Sequence, residues 1–270
     1  MGYTAVDMHL HSHHSDAANS IPSIISRAKH LGIGVAITDH NEIRGSIEAC
    51  TSVKVPEVLV IPGIELSAQE GPHILLYFYS PSDLSDFFER HIRGKKRKSE
   101  YMAVQLTTQN VLDAADNYSC VTVAAHPYGY FGINRGVLKC IGNNVLPPGI
   151  IDRFDGVEVI CGGMGHDLNS QAACYAGAHD MPVTGGSDSH VLPSIGSVVT
   201  CVRADTVEEF LAGVLARESI VIGSTVDLLH KGMTAGVIAW KYIPYTVSSL
   251  QVHYEQNMPR MKRYLKDLIK

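Results

Sequence analysis

Histidines and carboxylates recur, paired or side by side, at four separated places along the 270-residue chain: His9-x-His11 with Asp16, Asp39-His40, Glu65, and Asp188-x-His190. No one of these places is specific, but together they supply most of a multinuclear metal site. Imidazole suits zinc, iron and manganese, and a carboxylate can bridge two ions. Alternate residues of a strand share a face. His9 and His11 therefore aim together if Tyr3–His11 is a strand, and Asp188 and His190 do so if they end one. Two closely spaced ions lower the pKa of water from about 15.7 to about 7 and so supply hydroxide at neutral pH.

These residues need a frame that delivers them to one place. Apolar runs alternate with amphipathic stretches along the chain: Tyr3–Met8, Gly34–Thr38, Val58–Ile64, Ile74–Tyr79, Val121–Ala125, Gly156–Ile160, Pro182–Gly185 and Val198–Arg203 read as strands. Helices are expected from Ser20-Ile21-Pro22 to a stop at Gly32, over Ile43–Cys50, around Asn169–His179 and near Thr206–Arg217. The pattern predicts a parallel sheet with helices outside it. Each candidate ligand then sits at or just past a strand's C-terminal end, as in a closed α/β barrel. Neither G-x-G-x-x-G nor a P-loop occurs. A polar, largely helical stretch at 80–119 interrupts the alternation and carries the basic run Arg93–Lys98, read as a solvated face. The expected division is a barrel over 1–225, with 80–119 inserted, and a tail over 226–270 ending in a basic helix, Met258–Lys270.

The composition agrees with an ordinary globular enzyme. The chain is 45% hydrophobic, and its six cysteines form no C-x-x-C pair, as expected of reduced thiols in a cytoplasmic protein. No apolar run reaches the ~18 residues of a membrane helix, so no membrane partner is expected. The N-terminus shows no basic-then-apolar leader. A net charge of −5 argues against a dedicated nucleic-acid binder, and no stable nucleic-acid complex is expected.

Seven segments together resemble the polymerase-and-histidinol-phosphatase (PHP) superfamily of metallo-phosphoesterases. They are DMHLHSHHSD (7–16), ITDHNEIRG (37–45), GIELS (63–67), PHILLYF (72–78), AAHPYG (124–129), GVEVICGG (156–163) and GGSDSH with Ile195-Gly196 (185–196). The resemblance implies a distorted seven-stranded α/β barrel and three divalent ions of zinc, manganese or iron. It assigns His9, His11, Glu65 and Asp188 to the first ion. Glu65 would bridge to a second ion, completed by His73 and His126, and Asp16, His40 and His190 would hold the third.

The substrate side is less specific. Arg135 is the first candidate to grip a phosphate, then Arg44, with Ser12 as a hydroxyl donor. Asp39 and His166 are candidates to protonate the leaving group, although orienting a ligand is the preferred role for Asp39. Asp7 and Glu158 are further carboxylates near the expected site, each as readily an ordinary buried residue. His13, His14, His30, His91, His179, His230 and His253 are read as surface or core residues. The expected reaction is hydrolysis of a small phosphomonoester, such as a nucleotide, with histidinol phosphate or an oligonucleotide end as runner-up. Two other classes were weighed. An amidohydrolase-type C–N hydrolase lacks a candidate carbamylated lysine here. A non-catalytic metal domain is disfavoured by the complete ligand set.

Overall fold

The computed structural model describes residues 2–52, 58–129 and 134–268. Its first half builds β1 (Tyr3–Leu10), α1 (Ile21–Leu31), β2 (Gly34–Ile37), α2 (Arg44–Ser52), β3 (Gly63–Ser67), β4 (His73–Phe78), α3 (Pro81–Phe87), α4 (Thr108–Ala115), β5 (Cys120–Ala124) and α5 (Val137–Gly142). There follow β6 (Gly156–Cys161), α6 (His166–Ala178), β7 (Val183–Gly186), β8 (Val198–Arg203), α7 (Val207–Leu215), β9 (Ile220–Gly223), α8 (Leu228–Tyr242) and α9 (Thr246–Leu268). The helix signals at Ser20 and Gly32 work as read. The Ser20 side chain accepts from the Ser23 N–H, and Gly32 ends α1 with φ 68°, a conformation favourable only without a Cβ.

The expected closed, seven-stranded parallel barrel is corrected. The described strands form two sheets, ordered β2-β1-β8-β9 and β3-β4-β5-β6-β7. Pairings β1–β2, β5–β6 and β6–β7 are parallel, but β1–β8, β8–β9, β3–β4 and β4–β5 are antiparallel. The turn between Ser67 and His73 is too short for a crossover helix, so β4 must run back along β3.

Single bridges join the two sheets on both sides. Val35 meets Val60 and His40 meets Glu65 on one side, and Leu10 meets Ser189 on the other. Longer ladders are blocked locally. Pro62 has no N–H to donate beside β2, so the predicted Val58–Ile64 strand begins only at Gly63. Asp188 turns the chain away with φ 50°.

The strands bury both faces. Ile74, Leu76 and Phe78 of β4 pack outward with Leu66, Phe87 and Val111. Inward, Leu75 and Tyr77 meet Val6, Met8 and Val123, with Phe210, Leu211 and Val214 of α7 packed against the same cluster. Among the described residues, no helix is long and apolar enough to cross a membrane.

The inserted stretch is only partly helical, with irregular chain between Lys96 and Thr107. Three cations of its basic run meet nearby carboxylates: Arg93 meets Glu89 at 2.6 Å, Lys96 meets Glu42 at 3.2 Å and Glu100 at 2.9 Å, and Arg97 meets Glu255. The terminal helix begins at Thr246, well before the predicted Met258, and the tail holds a second helix, α8, not foreseen as one.

Candidate metal centre

All nine residues proposed as ligands converge on one end of the two sheets. His9 is the penultimate residue of β1. His11 lies just past the strand and donates its backbone N–H to Ser189 O at 2.9 Å. His40 lies just past β2, and Glu65 sits mid-strand in β3. His73 opens β4 rather than ending a strand, yet it reaches the same end because β4 runs antiparallel to β3, with His73 paired to Ser67. Asp188 and His190 do not end a strand, as the spacing suggested. They occupy the turn after β7, where the Asp188 N–H donates to His9 O at 2.7 Å. Three residues here hold positive φ without being glycine: Asn41 at 53°, His126 at 25° and Asp188 at 50°.

Glu65 is the centre of the cluster. Its Oε1 meets His73 Nδ1 at 2.8 Å and His126 Nε2 at 3.1 Å. Its Oε2 meets His40 Nδ1 at 2.8 Å, His9 Nε2 at 3.4 Å and His11 Nε2 at 3.5 Å. Burial alone would raise its pKa, but His40, His73 and His9 hold it well below the usual carboxylate range. Three sets of ligand atoms lie within 4.8 Å of one another: His11, Asp16, His40 and His190; His9, His11 and Asp188; and His40, Glu65 and His73. The grouping shares His11 and His40 between sets, more than the one-bridge scheme allows for.

The donors fit metal ions. His9 Nε2, His40 Nδ1, His190 Nε2 and Glu65 Oε2 are buried without hydrogen-bond geometry to any partner, an arrangement that otherwise leaves polar atoms unsatisfied. The opposite ring nitrogens are tied down. His9 Nδ1 meets Glu158 Oε1 at 2.9 Å, and His190 Nδ1 meets Asp188 O at 3.0 Å. Glu158 also accepts the His126 N–H at 2.7 Å. One carboxylate from β6 thus orients two candidate ligands. Glu158→Gln is expected to weaken metal binding about 10–100-fold while the protein stays folded. Titration with a chelator-buffered metal series would read this, and unchanged affinity would remove Glu158 from that role.

Proton linkage gives a second expectation. Burial would lower the pKa of His190, but Asp16, 3.2 Å away, raises it to about 9. His190 is therefore charged at neutral pH in metal-free protein and must lose a proton to bind a cation. Metal affinity should rise with pH up to about 9, with roughly one or more protons released per binding event near neutrality. Calorimetry in buffers of different ionisation enthalpy counts them. No release at pH 7.5 would argue against His190 as a ligand.

The candidates for substrate and acid roles separate. Arg135 is buried in the cavity wall, donating from Nη1 to His73 Nε2 at 2.9 Å and to Met102 O at 3.1 Å. Ser12 and Asp39 instead use their polar atoms on each other. The Ser12 hydroxyl and N–H both donate to Asp39 at 2.6 Å, and Ser15 Oγ donates at 2.7 Å, which fixes the loop carrying Asp16. Arg44 is 63% exposed and pairs with Glu42 at 3.1 Å. His166 heads α6 with its side chain 88% exposed and is not brought to the cluster. Asp7 accepts the N–H groups of Ser187 at 2.8 Å and Gly196 at 2.9 Å, locking the segment around Asp188 to β1.

A cavity of about 490 Å³ lies above the cluster. Six of the nine candidates line it: Asp16, His40, His73, His126, Asp188 and His190. Its far wall comes from α8 and α9 and includes Tyr242 and His253. The sequence reading set His253 aside as ordinary. A lone histidine in a terminal helix carries no spacing signal that could have placed it here.

Comparison with known proteins points one way. The family profile described as "PHP domain" matches residues 7–138, and that described as "PHP-associated" matches 166–219. An uncharacterized protein of Methanocaldococcus jannaschii is 27% identical over 165 residues, which is 57% of this chain and 79% of that one. Endonuclease Q, solved with a 27-mer duplex substrate carrying an abasic lesion, superposes with a TM-score of 0.64 at 20% identity. That likeness covers 80% of this chain, which spans only 57% of the endonuclease chain. A Bifidobacterium adolescentis protein assigned as a metal-dependent phosphoesterase superposes with a TM-score of 0.56 at 22% identity, covering 83% of this chain and 97% of that one. The DNA-bound neighbour overturns the expectation that no stable nucleic-acid complex forms. A net charge of −5 describes the whole surface, whereas an anionic substrate answers to the local field, which bound cations can invert.

Proposed function

Because the chain belongs to the PHP family, we propose that it is a metal-dependent phosphoesterase acting on a terminal phosphate, as in a nucleotide or another phosphorylated metabolite. The observation that carries this is the cluster around Glu65 forming the floor of a cavity with a buried arginine in its wall. Divalent ions held by the nine residues would supply water activation and charge neutralisation. The chain's own part is to position and to balance charge. Glu65 sets five imidazoles around one carboxylate, and Glu158 fixes the His9 ring so that Nε2 faces Glu65 and Asp188. Arg135 presents a cation that can turn from His73 to a phosphoryl oxygen.

Phosphate release screened across phosphorylated metabolites, with zinc, manganese and iron(II) in turn, tests the reading. Hydrolysis of amides in place of phosphate esters would overturn it. Arg135→Ala is expected to lower kcat/KM by about 1.5–3 kcal/mol, roughly 10–150-fold, if the guanidinium contacts phosphate. An unchanged kcat/KM across substrates would remove it from the site. A second reading is cleavage of a phosphodiester in nucleic acid. It is favoured by the endonuclease Q likeness and is read by including a short duplex and an oligonucleotide in the same screen.

A further inference from the structure

We propose that α8 and α9, with Met102 of the inserted segment, build a leaving-group pocket for a planar ring, so that the ester hydrolysed is that of an aryl or nucleoside alcohol. This deepens the phosphoesterase reading and rests on it. The cavity over the cluster is divided in character. Its floor is made of titratable ligand candidates and its side wall holds Arg135, whereas its roof presents Ile238, Ala239, Leu250 and the rings of Tyr242 and His253. A molecule with one anionic end and one apolar, flat end is the complement of that division. A volume of about 490 Å³ suits such a molecule, because small-molecule sites run from roughly 300 to 1,000 Å³. A rigid ring also loses less conformational freedom on binding than a flexible chain of equal apolar area.

The roof is built from residues beyond 219, where the second family match ends. Its place over the cluster is fixed by contacts to the rest of the chain. Val252 and Tyr242 pack with Met102 and Ala103. Ser249 Oγ and Ser99 Oγ share a hydrogen bond of 2.7 Å, Gln256 donates to Gln69 O at 3.2 Å, and Lys241 donates to His13 O at 3.2 Å. Glu255 pairs with Arg97. The two segments that break the strand–helix alternation are thus fastened to each other, and both face the reaction site. The metal-ligand candidates thus lie beneath a roof built by the tail, and the roof sets what is attached to the phosphate.

The test uses the full-length, metal-reconstituted chain and compares kcat/KM for phenyl phosphate and a nucleoside 5′-monophosphate with that for glycerol phosphate and hexyl phosphate. Ring esters are expected to lead by about tenfold or more. Tyr242→Ala, which removes a ring face, and Ala239→Phe, which fills the pocket from an exposed helix position, should each cut that ratio about tenfold, chiefly through KM for the ring esters. A wild-type ratio near one, or equal losses on both classes in the variants, overturns the pocket. Failure to hydrolyse any ester overturns the phosphoesterase reading instead. The pocket is then read without turnover, by saturation-transfer NMR with adenosine as probe on the metal-free chain. Contact that Ala239→Phe abolishes supports the pocket, and no contact in the wild type overturns it.

Discussion

Glu65→Gln is expected to lower phosphate-ester hydrolysis by ~10³-fold or more and to strip metal from the protein, with little change in fold. Both carboxylate oxygens are in use: Oε1 meets His73 and His126, and Oε2 meets His9, His11 and His40. A glutamine has the same shape but only one oxygen. Whichever way the amide turns, one set of imidazoles faces an NH₂ group that cannot ligate a cation. The fold should survive because the side chain is wholly buried and the neutral amide is easier to bury than a carboxylate. Elemental analysis after reconstitution, phosphate release and far-UV circular dichroism on the same preparation decide the matter. Full metal content with activity within tenfold of wild type would show that Glu65 is not the central ligand.

Gly186→Ala is expected to destabilise the protein by about 2–3 kcal/mol and to lower Tm by about 5–10 °C. Gly186 closes β7 directly beneath His9, and a Cβ there would overlap the backbone nitrogen and Cβ of His9. Neither neighbour can yield cheaply. The His9 carbonyl is bonded to the Asp188 N–H at 2.7 Å, and its ring is held by Glu158 at 2.9 Å. The strain must move β1 away from β7, which also separates His9 from Asp188. Metal content should therefore fall together with Tm, whereas Gly165→Ala, where a Cβ meets nothing within 4 Å, serves as the control. A Gly186→Ala protein that melts like the wild type would show that the sheets part easily at this seam.

That the nine candidate residues would gather was legible because they carry a chemical signature and most follow short apolar runs whose length and bounding turns mark them as strands. Their grouping by ion was less so, since His11 and His40 each stand in two sets, a matter of ångströms that spacing does not encode. Strand direction was misjudged at β4 and β8, where local apolar pattern is the same for parallel and antiparallel pairing. The role of Glu158 was open in the sequence because a buried carboxylate reads alike whether it braces a ligand or pairs within the core. His166 and Ser12 were plausible by neighbourhood alone, yet one points into solvent and the other is spent on Asp39. The roof escaped notice for a deeper reason. Helices α8 and α9 are apolar on an outward face as well, with Trp240 74% and Val247 82% exposed, so periodicity did not single out the side turned to the site.

The left-handed backbone at Asn41, His126 and Asp188 has an evolutionary consequence. A non-glycine residue held in a sparsely populated region of φ/ψ space costs of order 1–3 kcal/mol, and glycine relieves that cost at once. At His126 and Asp188 the mutation that most relaxes the backbone is also one that deletes a candidate ligand. Selection for stability and selection for chemistry therefore pull the same codons in opposite directions. A lineage released from the need for catalysis should drift at these two positions first, toward glycine or asparagine, and become more stable as it falls silent.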